Sequence, residues 1–341
     1  MKQSIELAKY VSDFFSNYLP NEKGVSINTI KSYSHTFILL LNYLNDVKQI
    51  RIEKLTFRHI TRLVVVDFLD WLQKERGCSN NTRNQRLSAI SAFIKFAAYK
   101  VPDSLYENQQ ILSIPVKKAE KHTISYLTSE GVQLLLKQPD ATKLKGLRDL
   151  ALLSLMYESA ARVQEIIDLT PSSLFINSKP YRIKLHGKGD KYRTVPLPEK
   201  QVQILLKYMN QYGLLKRENT EKPLFHNAWG QKMTRNGINN VVVKHAASAR
   251  AKNEKLIAKG LSCHGIRHSK AMGLLDSNVQ LIHIRDFLGH KSVLTTEIYA
   301  RVNPKYTFEA IKSAYKNITA REMPIWENNS KILSMLKDFA K

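Results

Sequence analysis

Hydrophobic residues recur every three or four positions through the first hundred residues, which is the spacing of an α-helix with one apolar face. Four helices are predicted there, the first near residues 5–18. The second follows Ser26, a residue type suited to an N-cap. Its apolar side consists of Ile30, Phe37, Leu40, Leu41 and Leu44.

The third and fourth predicted helices complete a helical N-terminal domain over residues 1–103. The third runs near residues 63–76 and stops at Gly77, since glycine readily takes the left-handed conformation that ends a helix. The fourth follows the N-cap candidate Ser79. Its apolar stripe consists of Leu87, Ile90, Phe93, Ile94 and Ala97.

The helical periodicity lapses over residues 104–123, which include Pro115 and the basic run KKAEKH. We therefore expect a linker there. A second domain is expected over residues 124–320. It opens with a capped helix in LTSEGVQLLLK, followed by a long helical pattern over residues 146–169.

In the middle of the second domain, the spacing of hydrophobic residues changes from that of a helix to the alternation of a strand. YRIKLHGKGDKYRTVPL contains two alternating segments around GKGD, which predicts a β-hairpin. Helices follow to about residue 315, one of them from Gly237 through Lys252. The expected fold class is mainly α with a small antiparallel β-sheet, as a helical first domain and a mixed α+β second domain.

The end of the chain predicts two further helices. KYTFEAIKSAYKN has Phe308, Ile311 and Tyr315 on one side. The tail, residues 321–341, contains a short amphipathic helix whose apolar side consists of Ile332, Leu333, Leu336 and Phe339. Such a helix packs either on its own domain or on a neighbouring molecule.

Composition narrows the function to polyanion binding. The chain has 53 Lys and Arg against 29 Asp and Glu, a formal charge of +24. Nucleic acid is the first candidate partner and an anionic membrane surface the second. The basic residues are spread among apolar positions, which favours a folded protein that holds a long anion. Two cysteines exclude a disulfide framework, and we expect a cytoplasmic protein because no signal peptide or membrane span is evident.

Two helix starts in the first domain are rich in polar and basic side chains. Free N–H groups and the helix dipole make such positions suitable for phosphate. Solvated helix caps are the alternative for any one of them. The predicted DNA-contacting residues are Asn28, Thr29, Lys31, Asn81, Arg83, Asn84 and Arg86, with Lys191 in the second domain.

Four short segments of the second domain carry candidate chemistry. They are ARVQEIIDL with Arg162, HGKGDKYR with Lys188, SCHGIRHS with His264 and Arg267, and LGHKSVLTTEIYARV with His290 and Tyr299. A single H-x-x-R match arises often by chance, whereas all of these segments in order do not. Over nearly the whole chain, the sequence resembles the tyrosine recombinases, the phage integrase family of DNA breaking and joining enzymes, in its shorter two-domain form.

The resemblance implies a core-binding domain, a catalytic domain and catalysis without metal or other cofactor. Attack on a phosphodiester adds negative charge to the nonbridging oxygens, so fixed cations must stabilise it. Arg162 and Arg267 would do so through forked, charge-assisted hydrogen bonds.

The resemblance also assigns the remaining roles. Tyr299 would be the nucleophile, giving a 3′-phosphotyrosyl intermediate. Lys188 would protonate the departing 5′ oxygen, His264 would assist proton transfer to or from the tyrosine, and His290 would hydrogen-bond a nonbridging oxygen.

Several of these residues have other interpretations. Arg162 and Glu165 could form a structural ion pair, and we expect Glu165 to support the site in any case. Lys191 is an alternative to Lys188 as the lysine that protonates the 5′ oxygen. His264 and His268 are four residues apart but lack the glutamate of H-E-x-x-H, so no metal is expected and His268 is assigned a supporting role.

Two positions depart from the family pattern: many members have a glycine at the position of Ala160 and an apolar residue at that of Gly265. Both put local backbone geometry in question.

The expected partner is double-stranded DNA. The resemblance implies a tetramer in the DNA synapse and a monomer when free, with the tail helix linking protomers and with host DNA-bending factors as further partners. Integration, excision or transposition of a mobile element is the expected activity, in a bacterial cytoplasm and on the nucleoid. A type IB topoisomerase and a catalytically inactive DNA-binding accessory protein are the alternatives. The target sequence and direction of reaction are not legible from the chain.

Overall fold

The computed structural model describes residues 2–101, 104–119, 124–187, 189–302, 312 and 330–340. The chain divides into two units, Met1–His122 and Thr123–Lys341. Within the described residues the structure is mostly helical with one small antiparallel sheet, which confirms the predicted fold class.

The first unit is entirely helical in its described part. Side chains of Ser26, Thr61 and Ser79 accept hydrogen bonds from the backbone N–H three residues ahead, so the two predicted serine caps are confirmed. The elements are α1 (Lys2–Asp13), a π-helical segment (Phe14–Glu22), α2 (Ile27–Asp46), 3₁₀ turns (Ile52–Lys54 and Phe57–His59), α3 (Arg62–Lys74), α4 (Asn80–Ala98) and α5 (Leu105–Leu112).

The core of this unit is built around aromatic side chains. Ring centroids of Phe14 and Phe37 lie 5.3 and 5.2 Å from that of Phe93, both edge-on, which is a favourable geometry for aromatic pairs. The predicted apolar faces of α2 and α4 are confirmed, because their central members are buried: Phe37, Leu40, Leu44, Leu87, Ile90, Phe93, Ile94 and Ala97.

The expected linker contains a helix. α5 packs against α3 and α4, and Ile111 is fully buried there. Eight residues are too few to show an apolar period clearly, and the burial of α5 depends on helices distant in sequence. The chain after α5 is also held to α4 by a hydrogen bond, in which Nη1 of Arg83 donates to the Pro115 carbonyl oxygen at 2.9 Å. The first unit therefore continues through the expected linker to His122, and the second begins at Thr123, next to the expected start at residue 124.

The second unit contains more helices and the sheet. Its elements are α6 (Ser129–Leu136), α7 (Leu144–Ser159), α8 (Val163–Ile167), a 3₁₀ turn (Pro171–Ser173), β1 (Leu174–Phe175), β2 (Arg182–Gly187), β3 (Lys191–Pro196), α9 (Glu199–Gln211), a 3₁₀ turn (Arg217–Asn219), α10 (Arg235–Lys252), α11 (Cys263–Asp276), α12 (Leu281–Leu288), a 3₁₀ turn (Val293–Thr295), α13 (Glu297–Val302) and α14 (Ser330–Phe339).

The sheet has the order β1-β2-β3 and is antiparallel, and β2 and β3 form the predicted hairpin. Ile183 pairs with Val195, and Gly187 pairs with Lys191 at the turn. Ile183, Leu185 and Val195 are fully buried, which the alternating pattern predicted.

The long helical pattern over residues 146–169 is broken. α7 ends at Ser159, and Ala160 adopts the left-handed conformation with φ 45° and ψ 32°. α8 begins only at Val163, so Arg162 is its N-cap residue and does not lie within a helix. Alanine is a strong helix former, and the break therefore leaves no trace in the hydrophobic pattern.

The described helices include none that is both long and apolar enough to cross a membrane. α14 confirms the predicted tail helix, and Leu336 and Phe339 on its apolar side are 53% and 81% exposed. The predicted inward residues Phe308, Ile311 and Tyr315 lie outside the described part of the chain.

Candidate active site

Two arginine side chains lie side by side in the second unit, and backbone carbonyls fix both. Arg267, on α11, is 4% exposed and donates from Nη1 and Nη2 to the carbonyl oxygens of Ala160 and Leu288, both at 2.6 Å. Nη2 of Arg162 donates to the carbonyl oxygen of Gly289 at 3.1 Å. Because Leu288 and Gly289 are consecutive, the two guanidinium groups are neighbours.

The carbonyls that hold Arg267 belong to helix ends. Ala160 caps α7 and Leu288 is the last residue of α12. Carbonyls at helix C-termini lack an intrahelical partner and carry the negative end of the helix dipole, so they suit a buried cation. The left-handed turn at Ala160 also explains why glycine would be favourable there.

Glu165 supports Arg162 as expected. Its buried carboxylate accepts from the backbone N and from Nη1 of Arg162, at 2.8 and 2.9 Å. Burial alone would raise the pKa of Glu165, but the hydrogen bonds and charges of Arg193 and Arg162 outweigh it and hold the pKa below its ordinary value. The carboxylate is therefore ionised and orients Arg162.

Arg193 completes this arrangement and was not predicted. It lies on β3, and its Nη1 and Nη2 donate to Oε1 and Oε2 of Glu165 at 2.7 and 2.8 Å. Its Nε donates to the carbonyl oxygen of Phe287 at 3.1 Å. Arg193 thus ties the hairpin to α8 and to the end of α12. The one signal in the sequence is its position two residues before buried Val195, on the inward face of β3.

His290 follows the left-handed Gly289 that ends α12 and lies in the loop before the 3₁₀ turn Val293–Thr295. Its Nδ1 lies 2.9 Å from Oγ1 of Thr296, which is fully buried. Burial lowers the pKa of His290 to about 4, with further contributions from Arg267, Arg162 and Arg193.

Tyr299 lies on α13, the helical segment predicted for it, and is 1% exposed. Its Oη is 2.9 Å from Nδ1 of His268, one turn after His264 on α11. Burial raises the pKa of Tyr299, against the opposing charges of Arg267 and Arg162. The histidine within hydrogen-bond distance of the phenol is therefore His268, whereas the family resemblance gives the proton transfer of the tyrosine to His264.

His264 occupies the first turn of α11 after the N-cap Ser262, where the protein covers one part of its surface and leaves the rest open to solvent. Its ring centroid is 5.9 Å from that of His268. Burial and then the charges of Arg267 and Arg162 lower the pKa of His264. Burial, with His264 and Arg267, lowers the pKa of His268 to about 4. The histidines of the site are thus largely neutral near pH 7.

Gly265, the second departure from the family pattern, is tightly packed. A Cβ there would lie 2.7 Å from Cδ1 of Leu261 and 3.2 Å from the backbone oxygen of Ser125. A larger side chain would crowd the buried Leu261 side chain and the Ser125 backbone beside the start of α11, the helix that carries His264 and Arg267.

Lys188 lies outside the described residues. Lys191 is exposed opposite Gly187 and lines an open cleft of about 560 Å³, together with Arg162 and His290. The cationic residues lining this cleft are Arg162, Lys191, Arg193, Arg285 and Lys291. Positive charge on this side of the cluster suits a phosphate backbone.

The predicted DNA-contacting residues of the first unit fall into two groups. Asn28, Lys31 and Asn81 are exposed, whereas Oγ1 of Thr29 is 3.0 Å from Oγ of the cap Ser26. The other three side chains, those of Arg83, Asn84 and Arg86, bond within the fold.

The predicted DNA contact is wrong most clearly for Arg83. Its side chain is buried, with 3% exposed, and so it is not free to contact DNA. Asn84 exchanges hydrogen bonds with the backbone of Lys117, and Nη1 of Arg86 donates to the Ser32 carbonyl and the Thr36 hydroxyl. These polar residues join the segment after α5, and α2, to α4.

Among the described residues, no group of three or more His, Cys, Asp or Glu side chains is placed to hold a metal ion.

Comparison with known proteins places this cluster in a family. Residues 125–305 match the Phage integrase family, and residues 13–100 match the Phage integrase N-terminal SAM-like domain. The chain belongs to the phage integrase family, and it is a tyrosine-type site-specific DNA recombinase in the two-domain form.

Similar proteins cover almost the full chain. A putative integrase/recombinase, y4rC, of Sinorhizobium fredii is 31% identical over 326 residues, which are 95% of this chain and 97% of that protein. The tyrosine recombinase XerD of Oceanobacillus iheyensis is 29% identical over 317 residues, 92% of this chain and 100% of that protein.

Solved structures share the fold. The Tn1549 transposon integrase in complex with transposon right end DNA has a TM-score of 0.67 at 16% identity, covering 89% of this chain and 99% of that one. The XerH site-specific recombinase bound to difH substrate has a TM-score of 0.63 at 22% identity, covering 83% and 78%.

Proposed function

We propose that this recombinase cuts one DNA strand at a time through Tyr299 and rejoins it from a 3′-phosphotyrosyl intermediate. The observation that carries the proposal is the pair of guanidinium groups of Arg162 and Arg267, fixed by consecutive carbonyls next to a buried phenol. Fixed cations in a partly buried site stabilise developing negative charge without reorganising during the reaction.

Each group has a role in this reaction. Arg162 and Arg267 bind the nonbridging oxygens of the scissile phosphate, and His290 donates a hydrogen bond to the same phosphate. Lys188, which stands between β2 and β3 in the sequence, protonates the departing 5′ oxygen. The phosphotyrosyl bond conserves the energy of the broken bond, so rejoining needs neither ATP nor metal.

A nicked suicide substrate tests the proposal. Cleavage next to the nick releases a short fragment, so rejoining fails and protein stays covalently on DNA. We expect an adduct in EDTA with the wild type, and none with Tyr299→Phe despite equal non-covalent binding. Tyr106→Phe, at an exposed tyrosine on α5, is the matched control and retains the adduct. Equal trapping by Tyr299→Phe would refute the proposal.

Two other activities predict different results in the same assay. A type IB topoisomerase would relax a supercoiled plasmid that lacks a recombination site, whereas a recombinase yields joint products from two site-bearing duplexes. A catalytically inactive accessory protein would bind DNA and form no adduct. We favour the recombinase because the first unit matches the N-terminal domain of phage integrases.

We further propose that the substrate is a mobile element, with integration, excision or transposition as the outcome. Similarity to a putative integrase/recombinase and to the fold of a transposon integrase supports this. Its site of action would be the bacterial cytoplasm, on nucleoid DNA. Mapping covalent cleavage positions in the DNA that flanks the native gene would test it, since cleavage at element ends is expected.

α14 supports assembly of a tetramer on two DNA duplexes. Leu336 and Phe339 are exposed on its apolar side, and we propose that this side docks on another protomer. Deletion from Asn328 onward should abolish synapsis while retaining DNA binding. Leu336→Ser should weaken synapsis, whereas Lys337→Ser, on the same helix, should not. Unchanged synapsis after the deletion would remove the proposal. Purified protein without host DNA-bending factors would show whether these are needed.

DNA contact by the first unit is proposed for its exposed polar residues, Asn28, Lys31 and Asn81. If Lys31 contacts a phosphate, Lys31→Ala weakens binding to all sequences alike and reduces the slope of log affinity against log salt by about 1. An unchanged slope would exclude that contact.

A further inference from the structure

Thr296 is a buried threonine in the segment TTEIYAR, and the proposed reaction gives it no role. It is 0% exposed, and its Oγ1 lies 2.9 Å from Nδ1 of His290. Its backbone carbonyl accepts a hydrogen bond from the N–H of Tyr299 at 3.1 Å. Thr296 is therefore bonded to two residues that the proposed reaction uses, through its hydroxyl to one and through its backbone to the other.

The hydroxyl of Thr296 differs from other buried hydroxyls of this protein. Those of Thr36, Ser154 and Ser159 donate to backbone carbonyls four residues earlier in their own helices. Within the part of the chain that the structure describes, the only hydrogen bond of the Thr296 hydroxyl is the one to His290. Because a buried O–H donates where an acceptor is in reach, the hydroxyl is the donor and Nδ1 is the acceptor.

This direction of the bond determines which ring nitrogen of His290 carries the proton. Burial, with the charges of nearby arginines, lowers the pKa of His290 to about 4, so near pH 7 the ring is neutral and has one N–H. Since Nδ1 accepts from Thr296, the proton is on Nε2. The N–H donor is thus at the tip of the ring, and His290 lines the open cleft together with Arg162.

We propose that Thr296 is a positioning residue, whose hydroxyl holds His290 in the Nε2–H tautomer that donates to a nonbridging oxygen of the scissile phosphate. The inference rests on the proposed function, in which His290 is a donor to that phosphate. Without the hydroxyl, Nδ1 loses its donor and the proton is shared between the two ring nitrogens. Thr296 is fully buried, so it acts through His290 and not by contact with DNA.

Single-turnover cleavage of the suicide substrate by two variants tests the role of the hydroxyl. Thr296→Val keeps the shape of the side chain and removes the hydroxyl, whereas Thr296→Ser keeps the hydroxyl. We expect Thr296→Val to cleave about 10-fold slower than the wild type, the effect of one neutral hydrogen bond. Thr296→Ser should cleave within about 3-fold of the wild type, because its hydroxyl can still donate.

A double-variant cycle shows whether Thr296 acts through His290. His290→Ala should cleave about 100-fold slower than the wild type, because a donor to the transition state is lost. When it is combined with His290→Ala, Thr296→Val should slow cleavage no further. Thr36→Val is the matched control, since it removes an equally buried hydroxyl in the first unit. Its effect on the cleavage rate should be the same with and without His290→Ala.

Nitrogen-15 NMR of the free protein near pH 7 provides a readout that a merely structural role of Thr296 would not change. The ring signals of His290 are identified by their loss in His290→Ala. The wild type and Thr296→Ser should have a protonated Nε2 and an unprotonated Nδ1. Thr296→Val should show a mixture of the two tautomers.

A proton on Nδ1 of His290 in the wild type would overturn the inference, and this measurement does not depend on the folding of any variant. Wild-type cleavage by Thr296→Val, or a further loss when it is combined with His290→Ala, would also overturn it. Each of these results leaves Tyr299 as the proposed nucleophile, whereas an adduct with Tyr299→Phe would overturn the proposed function itself.

Discussion

Arg193 on β3 and Glu165 on α8 form a two-point ion pair, with Nη1–Oε1 and Nη2–Oε2 distances of 2.7 and 2.8 Å. The pair is buried, and the same carboxylate orients Arg162. Through the bond from Arg193 to Phe287, the pair also holds the hairpin against the segment that carries His290. The side chain of Arg193 thus joins the hairpin, α8 and the end of α12, which are distant from one another in the sequence.

Replacing Arg193 should therefore damage both stability and catalysis. Arg193→Ala leaves a buried carboxylate with one cationic partner, which should lower the free energy of unfolding by about 3 kcal/mol. Displacement of Arg162 and the hairpin should slow suicide-substrate cleavage about 100-fold.

Arg182→Ala is the control for stability, because Arg182 is exposed on the neighbouring strand and stacks on Phe175. It should cost less than about 1 kcal/mol. Denaturant unfolding followed by circular dichroism measures both. Equal losses for the two variants would show that the ion pair has no special role.

Ala160 occupies a left-handed turn that favours glycine. Ala160→Gly relieves about 1 to 2 kcal/mol of steric strain. Against this, it loses about 0.8 kcal/mol for one buried methyl and about 0.5 to 1 kcal/mol of backbone entropy. The two sides nearly cancel, so the thermal midpoint should be almost unchanged.

Ala160→Val should instead unfold at a clearly lower temperature, since a β-branched residue is an outlier at positive φ and overpacks a fully buried site. Differential scanning calorimetry of the three proteins distinguishes them. A midpoint for Ala160→Val at or above the wild type would contradict the turn seen here.

Gly265 and Gly273 provide a matched pair on α11. A Cβ at Gly265 meets Leu261 at 2.7 Å and backbone at 3.2 Å, whereas a Cβ at Gly273 meets only the Tyr157 hydroxyl, at 3.3 Å. Gly265→Ala should destabilise by about 1 to 3 kcal/mol and slow cleavage, because it displaces His264. Gly273→Ala should be better tolerated, since alanine favours the helix by about 1 kcal/mol. The reverse order of unfolding midpoints would disprove the packing described.

The histidine pKa values predict how stability depends on pH. The pKa of His290 is about 4 in the folded protein against an ordinary value of 6.5, and that of His268 is similar. Between these values the unfolded chain binds protons that the folded chain does not, so stability falls as the pH falls from about 6.5 to 4.

His290→Gln should therefore lose less stability than the wild type when the pH is lowered from 7.5 to 5. Thermal midpoints at both pH values provide the measurement. Identical losses in the two proteins would mean that His290 titrates normally in the folded state.

The sequence pattern predicted the elements that depend on local chemistry. Ser26 and Ser79 cap their helices because a serine hydroxyl accepts a nearby N–H, and the hairpin forms from two alternating segments around a glycine-rich turn. Of the six residues assigned to catalysis, the structure brings Arg162, His264, Arg267, His290 and Tyr299 into one cluster, and Lys188 lies outside the described residues.

Contacts between distant residues could not be predicted in this way. Arg193 meets Glu165 from 28 positions away, and His268 meets Tyr299 from 31. The burial of α5 and of Arg83 also depends on such contacts, which is why one appeared as part of a linker and the other as a DNA contact. The spacing of hydrophobic residues shows which face of a helix or strand is buried. It does not show which distant element covers that face.

The proposed reaction requires that Tyr299 becomes covalently bonded to DNA. It is tested most directly by digesting the trapped adduct with protease and nuclease and sequencing the modified peptide by mass spectrometry. The predicted result is a nucleotide attached to Tyr299 within the peptide that contains TTEIYAR. A nucleotide attached to any other residue would contradict the account.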